Sequence, residues 1–495
     1  MNDALRLLEQ FGPTFAAVTS LMLTVVVSSH AVLTRRDGHT AIGWVGLVWL
    51  VPVGGAILYV ALGINRIRRR ASVLRRGRHQ PPLGPRGMQT HRSQGGGDDG
   101  GRPMQGDTEP TPSGPLVTLG FRLTSAPLAT GNLVVPLQNG DEAYPAMLAA
   151  IAGAERSVAL ASYIFDHDAV GLRFVAALVA AQARGVAVRV LVDAVGARYS
   201  WPRTSTVDLL SARGVAARRF NPTRSPIRLR YLNLRSHRKI LVIDGTTAFT
   251  GGINLRADCV LAEPTAHPTQ DLHFQLNGPV VPQLLHVFTE DWRFTTGEHL
   301  TGPAWCSAQT RHGATAARAI PDGPDEDFDK LRRIMLGALS VARDRVCIAT
   351  PYFLPDPEIV AALDVAALRG VTVDVLLPAR SNLRLVQWAM THHLWRVLDC
   401  GCAVWLTPPP FDHSKMMIVD DAWALVGSGN WDPRSLRLNF ELNVELHDPA
   451  LAAALRELFD AKRAGASRLT RAQLRAMPLW ARVRDGFAAL GTPYL

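Results

Sequence analysis

His237-Arg-Lys239-Ile-Leu-Val-Ile-Asp244 and His413-Ser-Lys415-Met-Met-Ile-Val-Asp420 share one pattern: an imidazole, an ammonium two residues on, and a carboxylate five residues beyond that. The lysines stand out because the chain has four in all, Lys239, Lys330, Lys415 and Lys462, among basic residues that are otherwise arginine. A sequence that prefers Arg this strongly places Lys where a compact point cation is needed. Each motif is followed by a Gly-rich stretch ending in an amide, Gly251-Gly252-Ile-Asn254 and Gly427-Ser428-Gly-Asn430. Two His, two Lys and two Asn gathered in one cleft make a phosphate site. Ammonium and amide groups neutralise the equatorial oxygens, one neutral His attacks phosphorus, and the other, protonated, gives its proton to the leaving oxygen. His can fill both roles because its ordinary pKa lies near neutrality. The cations are built in, so the chemistry calls for no metal and no cofactor.

One short motif is weak evidence; here the segments around it repeat as well. Ser157–Phe165 reads as a buried strand, Val170–Ala183 as a helix, Arg184-Gly185-Val186 as a turn, and Ala187–Val192 as the next strand. The second half repeats this with Arg345–Phe353, Pro357–Leu368, Arg369-Gly370-Val371 and Thr372–Leu377, at an offset of about 185 residues. Strands alternating with helices predict an α/β fold built from one unit used twice. His and Lys two apart on a strand share a face. The turn residues Asp244-Gly245 and Asp420-Asp421 close each strand.

The 495 residues allow two or three domains, and 47% hydrophobic against 19% charged residues excludes global disorder. Five cysteines at irregular spacing give neither a disulfide framework nor a zinc site. Two uncharged apolar stretches, 14–33 and 41–64, predict a hairpin of two membrane spans. Seven arginines between Arg66 and Arg78 follow, so the positive-inside bias places the body in the cytoplasm. They also account for most of the +11 net charge, which is therefore a membrane feature and no pointer to nucleic acid. His79–Gly114, with nine Gly and six Pro, reads as a tether. The tail Leu474–Leu490, carrying Trp480, Arg482, Arg484 and Phe487, reads equally as an interfacial amphipathic helix or as a packed terminal helix.

With its duplicated His-Lys-Asp motif the chain resembles the phospholipase D superfamily, and within it the bacterial cardiolipin synthases. Tyr163-Ile-Phe165-Asp-His-Asp168-Ala-Val-Gly171, Ala248-Phe-Thr-Gly-Gly252, Ala349-Thr-Pro-Tyr-Phe353, Asp432-Pro-Arg-Ser435 and Leu438-Asn-Phe-Glu441 carry the rest of the likeness. The resemblance implies two pseudo-twofold-related halves, each a mixed-sheet α/β/α sandwich, behind a two-helix membrane hairpin. The expected divisions are an anchor over 1–65, an Arg-rich segment and disordered linker over 66–115, a first half over 116–300, a connector over 301–325 and a second half over 326–495. It implies a two-step transfer in which His237 becomes phosphatidyl-histidine and His413 is the general acid and base. Lys239, Lys415, Asn254 and Asn430 would surround the phosphate, and acidic residues downstream of the motifs, Asp271 and Glu441, would orient the histidines. Asp244 and Asp420, the third residues of the two catalytic motifs, would then fix strand ends more than act directly in the chemistry. The substrates implied are membrane phospholipids, two phosphatidylglycerols giving cardiolipin and glycerol, in a multi-pass protein of the bacterial inner membrane. Phospholipase D hydrolysis or another phosphatidyl transfer is the alternative, with the superfamily's nuclease branch behind both.

Overall fold

The computed structural model describes residues 2–34, 38–59, 114–199, 204–222 and 234–492. The Arg-rich segment and the Gly/Pro-rich tether lie outside them, as do 60–64 of the second apolar stretch. The chain divides into two units, Met1–Arg78 and His79–Leu495.

In the larger unit the apolar runs of the first repeat form β1 (Ala129–Gln138), β2 (Ser157–Ser162), β3 (Ala187–Asp193), β4 (Ala216–Phe220), β5 (Ile240–Ile243), β6 (Thr247–Gly251), β7 (Thr269–Gln270) and β8 (Leu272–Asn277). The second repeat supplies β9 (Thr315–Asp322), β10 (Arg345–Ala349), β11 (Thr372–Pro378), β12 (Ala403–Thr407), β13 (Phe411–Asp412), β14 (Met416–Val419), β15 (Trp423–Gly427), β16 (Glu441–His447) and β17 (Ser467–Leu469). Fifteen of these make one mixed sheet in the order β17-β12-β11-β10-β14-β15-β16-β9-β1-β8-β6-β5-β2-β3-β4. Read outward from the antiparallel β1–β9 pair, the two halves have the same strand order, β17 being an addition at one edge. β2, β3 and β4 run parallel, as do β10, β11 and β12, because helical crossovers join them. β7 and β13 pair with each other, outside the large sheet.

Alternation along each strand sets the layers. Val158 and Leu160 enter a core with Tyr144 of helix Asn139–Ala152 and Phe174 of helix Ala169–Ala183. Ala159 and Ala161 face the other way, into a core with Leu284 and Phe288 of helix Val281–Thr296. In the second half Val346 and Ile348 pack with helices Lys330–Val341 and Pro357–Leu368, while Cys347 and Ala349 join the same core as Ala159. That shared core includes Leu455 and Phe459 of helix Pro449–Ala464, so one layer is common to both halves.

Three local readings change. The strands begin at Ile240 and Met416, so His and Lys of each motif stand on the approach to a strand and not within it. Strand β9 falls in the stretch expected as a connector. Helix Gly114–Thr124, at the start of the expected first half, buries Leu116 in the second half's core.

In the smaller unit, helix Asn2–Thr34 contains Ala17–Thr34, long and apolar enough to cross a membrane. The second apolar stretch is not one helix: Gly38–Leu50 ends, and Pro52–Leu58 begins after Val51. Proline lacks the N–H a continuing helix needs. Gly55, without a side chain, lets the second piece fold back, since a Cβ there would sit 2.8 Å from the Leu47 carbonyl. Tyr59 thereby meets His30 through a 2.7 Å hydrogen bond, and Val27, Ala31, Val48 and Ala56 form the packing.

Candidate active site

β2 and β10 deliver Tyr163 and Tyr352 at their carboxyl ends. β5 and β14 run antiparallel to them, so the starts of those strands, where the motifs sit, lie at the same edge of the sheet. The ends of β6 and β15, which lead to Asn254 and Asn430, and the starts of β8 and β16, which follow Asp271 and open with Glu441, also arrive there. The carboxyl ends of parallel strands are where α/β sheets leave a crevice. His237, His413, Asn254 and Asn430 line a single cleft there of about 210 Å3, together with Tyr163, Tyr352, Arg235, Arg256, Asp432 and Arg434.

The two halves exchange their acids. His237 Nδ1 lies 3.0 and 3.1 Å from the carboxylate oxygens of Glu441, and His413 Nδ1 lies 2.7 Å from Asp271 Oδ2. Backbone contacts make the crossing: the His237 N–H donates to the Phe440 carbonyl, and the His413 N–H to that of Gln270, beside the β7–β13 pair. An ionised carboxylate only accepts, so Nδ1 of each ring carries a proton and Nε2 is the nitrogen left to meet phosphorus. Each lysine Nζ donates to the carbonyl of its own histidine, 2.7 Å for Lys239. Both ammonium groups are buried beneath the histidines and do not line the cleft directly. Asn254 Oδ1 accepts from the Ile164 N–H, while Asn430 Oδ1 is buried without a partner.

Burial dominates the electrostatics. It pulls the His413 pKa down to about 4, with Lys415 adding to the fall, and holds His237 below its ordinary value against the pull of Glu441. Lys239 is lowered to about 7 and Lys415 to about 8, burial outweighing the nearby carboxylates. Burial would raise Asp271 and Glu441, but Lys415 and His413 for the first, and His237 and Lys239 for the second, leave both below the usual carboxylate range. The cleft thus holds neutral imidazoles, ionised acids and lysines that titrate near neutral to mildly alkaline pH. Among the described residues no three His, Cys, Asp or Glu side chains group as a metal site.

The family model for the "cardiolipin synthase, PLD-like domain" matches residues 147–263 and 335–463, the two stretches that supply the motifs' surroundings. A cardiolipin synthase of Geobacillus kaustophilus is 29% identical over 488 residues, 96% of this chain and 92% of that protein. Cardiolipin synthase A of Pseudomonas aeruginosa is 30% identical over 444 residues, 89% of this chain and 87% of that protein. The chain belongs to the cardiolipin synthase family of the phospholipase D superfamily. Among solved structures, the phosphatidylserine synthase of Haemophilus influenzae superposes with a TM-score of 0.56 at 14% identity, over 77% of this chain and 100% of that one, a likeness of fold.

Within the family frame, Asp244 and Asp420 stand apart from the cleft. Each lies five residues past its lysine, about 17 Å of strand away. Asp244 accepts from the backbone N–H groups of Glu155, Arg156 and Ser157, and Asp420 from those of Arg343, Asp344 and Arg345. Neither lines the cleft; both tie the far end of the motif strand to the start of its neighbour.

Other residues at the site escaped the sequence reading. Tyr163 and Tyr352 set their rings edge-on to His237 and His413, with centroids 5.3 and 6.3 Å apart. Both follow the equivalent strands β2 and β10, a usable signal, but one place apart: the registers make Pro351 the counterpart of Tyr163. Ser428 Oγ and Asn439 Nδ2 both donate to Glu441. The first half has no counterpart of Ser428: Gly252 holds the corresponding place, and a Cβ there would lie 2.2 Å from Asp271 Oδ1. The repeats are therefore unlike in how firmly each acid is held.

Proposed function

We propose that the chain joins two phosphatidylglycerol molecules into cardiolipin and glycerol through a phosphatidyl-histidine. The observation that supports this best is the pair of histidines on one cleft, each backed by a carboxylate of the other half. In the first step Nε2 of His237 forms the bond to phosphorus while the bond from phosphorus to the glycerol oxygen breaks. His413 supplies the proton that glycerol carries away. In the second step His413 takes the proton from a hydroxyl of the next phosphatidylglycerol, whose oxygen displaces His237 from phosphorus. Neutral His237 is ready to attack as it stands. His413 needs a proton, and the phosphodiester anion favours its cationic form by offsetting the lysines that help depress it. Lys239, Lys415, Asn254 and Asn430 favour the charge that builds on the equatorial oxygens. Asp271 and Glu441 hold the tautomers.

The family's lipid substrates and the span at Ala17–Thr34 favour a membrane protein of the bacterial inner membrane. We place the apolar hairpin in the bilayer and the body on the cytoplasmic side, where the arginines after residue 65 would face anionic headgroups. Helix Gly38–Leu50 is only about 20 Å long and Pro52–Leu58 folds back to set Tyr59 beside His30, so among the described residues Ala17–Thr34 is the one helix long enough to cross.

Membranes from a host lacking its own synthases, expressing wild type, His237→Ala or His413→Ala, would receive radiolabelled phosphatidylglycerol. Cardiolipin and glycerol from wild type alone support the reading. Phosphatidic acid in their place makes the protein a hydrolase, and no lipid product from membrane-inserted wild type overturns the lipid reading.

A further inference from the structure

The last helix, Leu479–Leu490, is packed inside out. Ala481 and Asp485 are buried, Ala488 packs on the second half's core, and Gly486 lies against the His392 ring. The large apolar side chains face outward: Leu479, Trp480, Val483, Phe487 and Leu490 are 72, 66, 49, 70 and 75% exposed. At 3.6 residues per turn these five fall within an arc of about 100°. An amphipathic helix at the surface of a soluble domain turns such an arc toward the core. Here the orientation is pinned the other way. The Arg484 guanidinium sits 4.5 Å from the Trp388 ring and 5.2 Å from that of Trp480, Arg482 lies 5.7 Å from the Trp395 ring, and Asp485 accepts from Arg484.

Trp388 and Trp395 belong to helix Arg384–Asp399, whose leading end forms part of the cleft lip. Leu383 and Leu385 there are 50 and 56% exposed, and Leu383 lines the cleft with Asn382 and Val386. Leu385 is less than one turn from Trp388, so the helix pair connects the mouth of the cleft to the outward apolar face. Residues 380–399 and 471–490 carry seven arginines against two aspartates, one of which is the buried Asp485. Apolar and tryptophan side chains flanked by arginines are the make-up of a helix that lies in the interface of an anionic bilayer. The cleft points the same way. At about 210 Å3 it falls short of the roughly 300–1,000 Å3 of a pocket that encloses a drug-sized ligand, so the acyl chains of a bound lipid must remain outside it.

We propose that helix Leu479–Leu490, together with the lip at Leu383 and Leu385, docks the catalytic body on an anionic bilayer, so that a headgroup enters the cleft while its acyl chains stay in the membrane. This rests on the lipid reading above. The test uses the full chain with Leu479→Gln, Phe487→Gln and Leu490→Gln combined, none of which lines the cleft or belongs to a core. In proteoliposomes of equimolar phosphatidylcholine and phosphatidylglycerol, the variant should turn over bilayer phosphatidylglycerol at least tenfold more slowly than wild type. With short-chain phosphatidylglycerol added as monomers to phosphatidylcholine proteoliposomes, it should stay within twofold. An unchanged rate on bilayer lipid overturns the proposal, and so does an equal loss on both substrates, which would make the face structural. A second readout does not depend on turnover: an environment-sensitive dye at Phe487→Cys, in a Cys306→Ser background, should be quenched by brominated lipids. A dye shielded from water yet unquenched would mean that protein, such as a second copy, covers the face, and the proposal fails. Wild type that turns over neither lipid defeats the lipid reading, while the quenching still reports on docking.

Discussion

Lys239, Lys415, His237 and His413 sit below their ordinary pKa values because burial strips them of water, and that leaves the cleft short of positive charge until an anion arrives. A bound phosphodiester favours the charged forms, so each pKa rises on binding and protons are taken up over the range the shift crosses. Lys239, at about 7, and Lys415, at about 8, place that range near neutral to mildly alkaline pH. Dimethyl phosphate keeps one charge throughout and does not itself titrate there. Calorimetry at pH 7.5 in two buffers of different ionisation enthalpy should show uptake of up to about one proton per site. Uptake at pH 7.5 should shrink in Lys239→Met, and the lysine share should fade toward acid pH, where the lysines of the free protein are already charged and His413, at about 4, takes up the proton instead. Proton release, or no change at any pH, would count against lysines that serve the phosphate from beneath the histidines.

At the level of elements, we read the motif's third residue as a joint of the fold. Asp244 and Asp420 have φ of +52° and +51°, a conformation Asp and Asn tolerate and alanine does not favour. Each carboxylate gathers three backbone N–H groups from the turn that enters β2 or β10. Asp244→Ala or Asp420→Ala should therefore cost about 2–4 kcal/mol of stability, read from the denaturant midpoint. Turnover per folded molecule should stay within about threefold. A large loss of turnover at unchanged stability would return these aspartates to the chemistry. Much of this scale was legible in the sequence, because strands, crossover helices and the Asp turn follow from local periodicity and turn chemistry. What local pattern could not carry was the start of β5 and β14 after the lysines. His237 and His413 are held out of the strands by backbone bonds to Phe440 and Gln270 of the opposite halves, partners with no local trace.

Across the whole molecule the same limit explains the crossed acids. Each repeat carries its own His, Lys, Asn and acid, so spacing alone allows either half to complete itself. The contacts that decide otherwise join residues 142 and 204 positions apart, His413 to Asp271 and His237 to Glu441. They form because β1 and β9 pair in the middle of one sheet and bring the same edge of each half to a single cleft. Double-mutant cycles on the full chain separate the two arrangements. Residues in contact couple by about 0.5–3 kcal/mol, whereas independent sites add within about 0.5 kcal/mol. Unfolding free energies of alanine variants should show strong coupling for His237 with Glu441 and for His413 with Asp271. The same-half pairs, His237 with Asp271 and His413 with Glu441, should lie close to additive. Stronger coupling inside each half than between halves would mean that each repeat assembles its own histidine–carboxylate pair, and the shared cleft would lose its basis.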